Sequence, residues 1–220
     1  MSPTIRSFVA GPFQTNCYII DDGTQATVID PGVDAFDVVR DFLDDADLEL
    51  MHVILTHGHL DHSRDAARLA NHYGLPIHIH PADAYMLEGG DGVSEQAKVL
   101  CAAHKMVQPN KVENLTAGET IAIAGQDYML RHAPGHSPGS MLLVGPELCF
   151  SGDVVFQGSI GRTDLPGSDP AVMQTTLKEQ VLTLPDSLTI VPGHGPATTM
   201  AQERNSNPYL QLDENTCAQR

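Results

Sequence analysis

Between Thr56 and His62 the chain runs Thr-His-Gly-His-Leu-Asp-His, placing three imidazoles and a carboxylate within six residues. Such a string is poor core material, and its chemistry is that of a metal site. Histidine is the commonest side-chain ligand, and Zn²⁺ accepts imidazole nitrogen and carboxylate oxygen alike. His57 and His59 alternate, so an extended turn can aim both at one ion. Asp61 and His62 stand at the start of the next helix and can turn towards a second ion, while Gly58 lets the backbone pass close by. The whole HxHxDH string, directly after the apolar run Leu50 to Leu55, favours a metal site over a polar loop or a helix cap at Asp61.

Three more loops share this grammar, a strand that ends and then a ligand type beside glycine. His136 lies in Ala133-Pro134-Gly135-His136-Ser137-Pro138-Gly139, Asp153 in Phe150-Ser151-Gly152-Asp153, and His194 in Val191-Pro192-Gly193-His194-Gly195-Pro196. Each alone is ordinary turn chemistry. Their joint appearance at strand ends favours the ligand reading for all three. Histidines 52, 72, 78, 80, 104 and 132 read as packing, surface or strand residues. Of these, His80 stands nearest to a supporting role and His104 to lining a pocket. His and Asp suit Zn, Fe and Mn alike, with Zn the first expectation.

Short elements must carry these loops. β-prone runs cover Thr4 to Ala10, Asn16 to Ile20, Ala26 to Ile29, Leu50 to Leu55 and Ile77 to His80. Asp34 is expected to cap a helix with Ala35, Val38, Val39 and Phe42 at helical spacing, and a second helix to run from Asp61-His62 to Tyr73. Tyr85 to Leu115, with three glycines and no clear period, reads as a partly helical excursion, a lid or substrate wall. Strands return over Thr120 to Ala124, Tyr128 to Arg131, Ser140 to Val144, Leu148 to Ser151 and Leu188 to Val191. Asp169-Pro170 opens a helix whose Met173, Leu177 and Val181 share a face. Strands punctuated by helices in both halves predict two packed sheets with helices outside. One domain is expected over residues 1–210, with a polar tail over 211–220.

The bulk composition narrows the function. A hydrophobic share of 41% supports a buried core, and the net charge of -16 repels phosphate backbones and anionic lipid. Nucleic acid and membrane partners are therefore not expected, and no apolar run approaches a membrane span. Met1 to Ala10 lacks a signal-peptide pattern, and the four cysteines are scattered, with Cys17 and Cys149 in apolar strand-like runs as free buried thiols. A cytoplasmic protein is the expectation.

The motifs resemble the metallo-β-lactamase superfamily over nearly the whole chain. In that family HxHxDH, GH(S/T)PG, GD and PGHG loops build a two-metal site on a four-layered αβ/βα sandwich of two mixed β-sheets with helices on the outer faces. The resemblance implies that His57, His59 and His136 bind one divalent metal, that Asp61, His62 and His194 bind another, and that Asp153 bridges them. The β-lactamases of the main subclass place a Cys where this chain has Asp153. Within the superfamily the chain is similar to glyoxalase II-like thioester hydrolases, through Gly11-Pro12-Phe13-Gln14-Thr15-Asn16-Cys17-Tyr18, Gly158 to Leu165, and Asn207-Pro208-Tyr209-Leu210. The match is to short forms without the C-terminal helical domain.

The implied activity is hydrolysis of S-D-lactoylglutathione or a related hydroxyacyl thioester by a metal-activated hydroxide. Asp61 would orient the nucleophile as well as bind metal. Arg162 would meet a substrate carboxylate, or else pair with Asp164. Gly161 to Asp164 is shared with the persulfide dioxygenases of the superfamily, so a mononuclear iron dioxygenase is the first rival. The intact Pro192-Gly193-His194-Gly195 loop favours two metals over one. A non-catalytic metal-binding module is the second rival, opposed by glycines that clear space beside each ligand loop.

Overall fold

The computed structural model describes residues 3–211; all of the expected polar tail but Gln211, with Cys217, lies outside them. In chain order the first half comprises β1 (Thr4–Ala10), β2 (Thr15–Asp21), β3 (Gln25–Ile29), α1 (Ala35–Asp45), β4 (Glu49–Ile54), α2 (Leu60–Ser63), α3 (Ala66–Tyr73) and β5 (Ile77–Ile79). A 3₁₀ turn (Pro81–Leu87), α4 (Glu95–Leu100), a second 3₁₀ turn (Ala103–Lys105) and β6 (Val112–Asn114) follow. The second half holds β7 (Thr120–Ile123), β8 (Gln126–His132), β9 (Met141–Val144), β10 (Leu148–Gly152), β11 (Val155–Phe156), β12 (Ser159–Ile160), α5 (Pro170–Thr176), β13 (Thr189–Pro192), β14 (Thr198–Thr199) and α6 (Met200–Ser206).

Two six-stranded sheets form, in the orders β1-β2-β3-β4-β5-β6 and β14-β13-β10-β9-β8-β7. Both are mixed. β1, β2 and β3 pair antiparallel while β3 to β6 run parallel. In the second sheet only the β10–β13 pair is parallel.

Period-two alternation along the strands builds three cores from two sheets. Ile19 and Val53 face outward onto Val39 and Leu43 of α1 and Leu69 of α3. Their neighbours Ile20 and Ile54 face inward, against Leu143, Phe150 and Val191 of the other sheet. Leu142, Cys149 and Ile190 then face the far side and pack on Met173, Leu177 and Val181. Burying side chains of this size contributes about 1.5–3 kcal/mol each. The result is the expected αβ/βα sandwich.

Two local expectations need correction. Asp34 adopts a left-handed conformation (φ 62) and makes no side-chain cap to α1. The first-turn N–H of Phe36 donates instead to Asp65 Oδ2 at 3.1 Å, so α1 is capped from a distant part of the chain. The same Asp65 interrupts the single helix expected from Asp61 to Tyr73, which is α2 and α3 with a break at Arg64-Asp65. In the excursion, β6 adds a sixth strand where no strand was expected. The short β11, β12 and β14, and α6, were likewise not expected.

Candidate metal centre

Every ligand-type residue singled out above follows the C-terminal end of a strand. β4 leads to His57, His59 and α2; β8 to His136; β10 to Asp153; β13 to His194. Because β10 and β13 are parallel neighbours, Asp153 and His194 emerge side by side. The second sheet then meets the first at one edge of the sandwich, where Met141 N–H donates to Thr56 O at 2.9 Å.

Three groups of side chains converge there: His57, His59 and His136; His57, His62 and Asp153; and Asp61, His62 and His194. His59 Nδ1 lies 2.8 Å from His136 Nε2, and His62 Nε2 lies 3.2 Å from His194 Nε2. Asp61 Oδ2 is 3.3 Å from His194 Nε2 and 3.6 Å from His62 Nε2. Asp153 spans the two halves, with Oδ1 3.4 Å from His62 Nε2 and Oδ2 3.5 Å from both His136 Nε2 and His194 Nε2. Tetrahedral ligands at 2.0–2.1 Å from Zn²⁺ stand about 3.3 Å apart, so these separations are those of coordination-sphere edges.

The outward nitrogens of four rings are already engaged. His62 Nδ1 donates to Asp30 Oδ2 at 2.9 Å, His136 Nδ1 to the Arg162 carbonyl at 2.8 Å, and His194 Nδ1 to the Phe13 carbonyl at 3.1 Å. His57 Nδ1 faces Thr56 Oγ1 at 3.2 Å, and that hydroxyl donates to Asp30 Oδ2 at 2.6 Å. Carbonyl and carboxylate oxygens only accept, so Nδ1 carries a proton and Nε2 is the nitrogen left facing the cluster. His57 Nε2 and Asp153 Oδ1, both turned to the cluster, are buried without a hydrogen-bond partner. Such orphans are costly unless something else binds them. The donor set therefore fits divalent cations.

Electrostatics agree. Burial, reinforced by the neighbouring imidazoles, drives His57 well down, and burial with His136 beside it pushes His59 down to about 3. Both are neutral at physiological pH, as ligands must be. Burial alone would raise Asp61 and Asp153, but the charges of His62 and its neighbours hold Asp61 far below the carboxylate range and Asp153 at about 2. His62 goes the other way: burial lowers it, yet Asp61, Asp153 and Asp30 together raise it well above the usual imidazole value. A proton there does what a cation would do, balancing clustered carboxylates.

Several supporting residues escaped the sequence reading. Asp30, immediately after β3 in Asp30-Pro31-Gly32, accepts from Thr56 N–H at 2.8 Å as well as from Thr56 Oγ1 and His62. It obeys the same strand-end grammar as the ligands, which was the available signal. Asp83 ties the two loops that carry His57, His59 and His136, accepting from Gly58 N–H at 2.9 Å, Ser137 Oγ at 2.6 Å and Gly139 N–H at 2.6 Å. Thr15 Oγ1 donates to Asp61 Oδ2 at 3.0 Å. Asn16 Nδ2 donates to the carbonyls of Pro192 and Gly195, and Tyr18 Oη to that of Pro192, so the Gly11 to Tyr18 string clamps the His194 loop. Asn207 does the same for the loop after Asp153, donating to the carbonyls of Phe156 and Ser159. At Gly193 an added Cβ would collide with Asp153 Oδ1 and His62, which accounts for glycine there.

The remaining histidines stay outside. His80 stacks on His132, centroids 4.1 Å apart, and His52 Nδ1 meets His78 Nε2 at 3.1 Å. A cavity of about 660 Å³ opens onto His59, Asp61, His136, Asp153 and His194. One wall comes from the excursion through Val93, Ser94, Gln96, Ala97 and Leu100, without His104. Phe13, Phe156, Ile160 and Leu165 form most of the rest, with Arg162 at the side. The Arg162 guanidinium is paired with Asp164, the structural alternative foreseen for it. Among the described residues no helix is long and apolar enough to cross a membrane.

Residues 10–194 match the family described as the Metallo-beta-lactamase superfamily. The hydroxyacylglutathione hydrolase GloC of Haemophilus influenzae is 37% identical over 203 residues, covering 90% of this chain and 93% of that protein. The crystal structure of BLEG-1, a B3 metallo-β-lactamase, superposes with a TM-score of 0.83 at 32% identity, over 94% of this chain and all 100% of that one. The crystal structure of TTHA1623 in a di-iron-bound form gives a TM-score of 0.80 at 36% identity, over 93% of this chain and 100% of that one.

Proposed function

The chain belongs to the metallo-β-lactamase superfamily, and from that premise we propose that it is a cytoplasmic two-metal thioesterase acting on S-D-lactoylglutathione or a related hydroxyacyl thioester, built as one domain over residues 1–210. His57, His59 and His136 would hold one cation, Asp61, His62 and His194 the other, with Asp153 shared between them. Zinc is the first choice and iron the second, the latter favoured by the di-iron form of TTHA1623. Two divalent cations there would polarise a carbonyl and make water a nucleophile near neutral pH.

The protein's own residues supply orientation. Thr15 holds one oxygen of Asp61, which leaves that carboxylate fixed to orient the attacking water. Asp30 and the carbonyls of Arg162 and Phe13 fix the rings, so the centre need not reorganise when substrate arrives. Phe13, Phe156, Ile160 and Leu165 would give the acyl and thiol parts an apolar surface beside the centre.

The observation that carries the thioester reading is the composition of this cavity. Among the described residues its only carboxylates are Asp61 and Asp153, both committed to the centre, and no Lys, Tyr or Cys lines it. Nothing spare is available to protonate a poor leaving group such as an amine. A thiol, with a pKa of about 8.5, leaves as thiolate without help. The relation to GloC supports the same substrate class. β-Lactam hydrolysis is the second reading, favoured by the likeness to BLEG-1.

The test is loss of thioester absorbance from S-D-lactoylglutathione under anaerobic conditions, with Zn-loaded and Fe-loaded protein side by side with a cephalosporin. Chelator-sensitive thioester hydrolysis faster than β-lactam opening is the expected result. Preference for the β-lactam, or oxygen uptake with glutathione persulfide in place of hydrolysis, would overturn it.

A further inference from the structure

Among the described residues Arg162 is the only Lys or Arg that lines the cavity, in a chain with 12 basic and 28 acidic residues. Away from the metal centre, an anionic group on a substrate has this guanidinium to meet. Its backbone is locked to the centre, since its carbonyl accepts from His136 Nδ1 at 2.8 Å. Its side chain is not locked. Arg162 Nε and Nη2 donate to the two oxygens of Asp164 at 2.7 and 2.9 Å, the two-pronged geometry by which arginine grips any carboxylate. Yet the two side chains are 62% and 70% exposed, and Asp164 makes no other side-chain bond among the described residues. An exposed pair of this kind is held weakly and opens readily.

We propose that Asp164 is an internal stand-in for a substrate carboxylate: it occupies the Arg162 fork when the cavity is empty and yields it to a thioester whose thiol part carries a carboxylate. This deepens the thioesterase reading and rests on it. Asp164 thereby sets selectivity. A carboxylate-bearing thiol must displace a competitor already in place, and among the described residues no second Lys or Arg lines the cavity to help it. Polyanionic thiol carriers, which need several cations, are disfavoured by the same arrangement. Thiol parts with one exposed carboxylate and an otherwise apolar or neutral body fit a cavity lined by Phe13, Val93, Phe156, Ile160 and Leu165.

The experiment measures binding without turnover. S-Methylglutathione, a thioether that cannot be hydrolysed, is titrated calorimetrically into metal-loaded wild type, D164N, R162Q and the double variant. Both positions are exposed, so the folds should hold, which thermal melts verify. Removing the competitor should tighten binding about three- to fivefold in D164N, the scale of an exposed ion pair. R162Q should weaken binding, and D164N should add nothing on top of it. S-Methyl-N-acetylcysteamine, which lacks a carboxylate, should show no gain in D164N. Equal or weaker binding to D164N would overturn the proposal and make Asp164 a positioning residue for the arginine. The same holds if the gain persists in the double variant, or if neither wild type nor D164N binds. Such a failure beside intact thioester hydrolysis defeats this inference alone; absence of hydrolysis on every thioester defeats the reading beneath it.

Discussion

The two sides of the cavity are built on opposite principles. On the metal side, ligand-type residues leave strand ends, and His57, Asp61, His62, His136 and His194 are each tied by a further bond to Thr56, Thr15, Asp30 or a backbone carbonyl. On the wall side, α4 buries none of its residues and leaves Val99 78% exposed. Its flanks turn through left-handed backbone at Gly89, Gly90, Gly92 and Ala102. Positional precision is concentrated where charge develops during reaction, and the loosely held side is left to meet the variable part of a substrate. Reaction type and substrate choice should therefore separate under mutation.

The largest expected effect is on the metal side. Asp61→Ala or His59→Ala should cost at least about 10²–10³-fold in kcat/KM, the loss that follows when a group governing developing charge is removed. Metal content by mass spectrometry should fall with it while the circular dichroism spectrum is retained. Next come the supports: Asp30→Ala should weaken metal retention or activity by roughly 10–100-fold, although Asp30 is placed as no ligand. If Asp30→Ala kept full metal content and rate, the anchored half of the comparison would lose its basis.

Proton competition gives an intermediate effect. His62 is held protonated by Asp61, Asp153 and Asp30 when no cation is present, so binding a cation must expel that proton. Metal affinity should rise with pH and fall as the solution is acidified, so a chelator should strip the protein faster at pH 6 than at pH 8. Equal stripping rates would speak against a raised His62. Smaller still, Thr15→Val removes one bond to Asp61 and should slow turnover about fivefold, as a hydrogen bond of about 1 kcal/mol implies. The smallest change belongs to the wall. Gln96→Ala should shift KM about two- to threefold, the measure of an exposed contact of about 0.5 kcal/mol, and leave metal content intact. A wall variant that lost metal would erase the distinction.

The ligand-type residues were legible because their loops combine a strand end, a glycine and side chains that a core would reject. The sandwich was legible from strand runs whose alternate residues are apolar. The supports were harder to see. Asp83 works through three donors that are distant in sequence, and a lone Asp in a turn has no pattern of its own. Asp65 overrode the capping expected of Asp34 because a carboxylate from another element reached the same N–H. β6, three exposed residues long, is a strand only because β5 offers it an edge, a tertiary cause that local composition does not carry.

The most direct test of the account is a metal titration read by turnover. Zinc, and separately ferrous iron under anaerobic conditions, is added in fractions of an equivalent to metal-free protein while thioester hydrolysis is followed. The account predicts that the rate saturates at two equivalents per chain, and that Asp61→Ala retains fewer than two. Saturation at one equivalent, or two bound equivalents with no hydrolysis of any thioester, would contradict it.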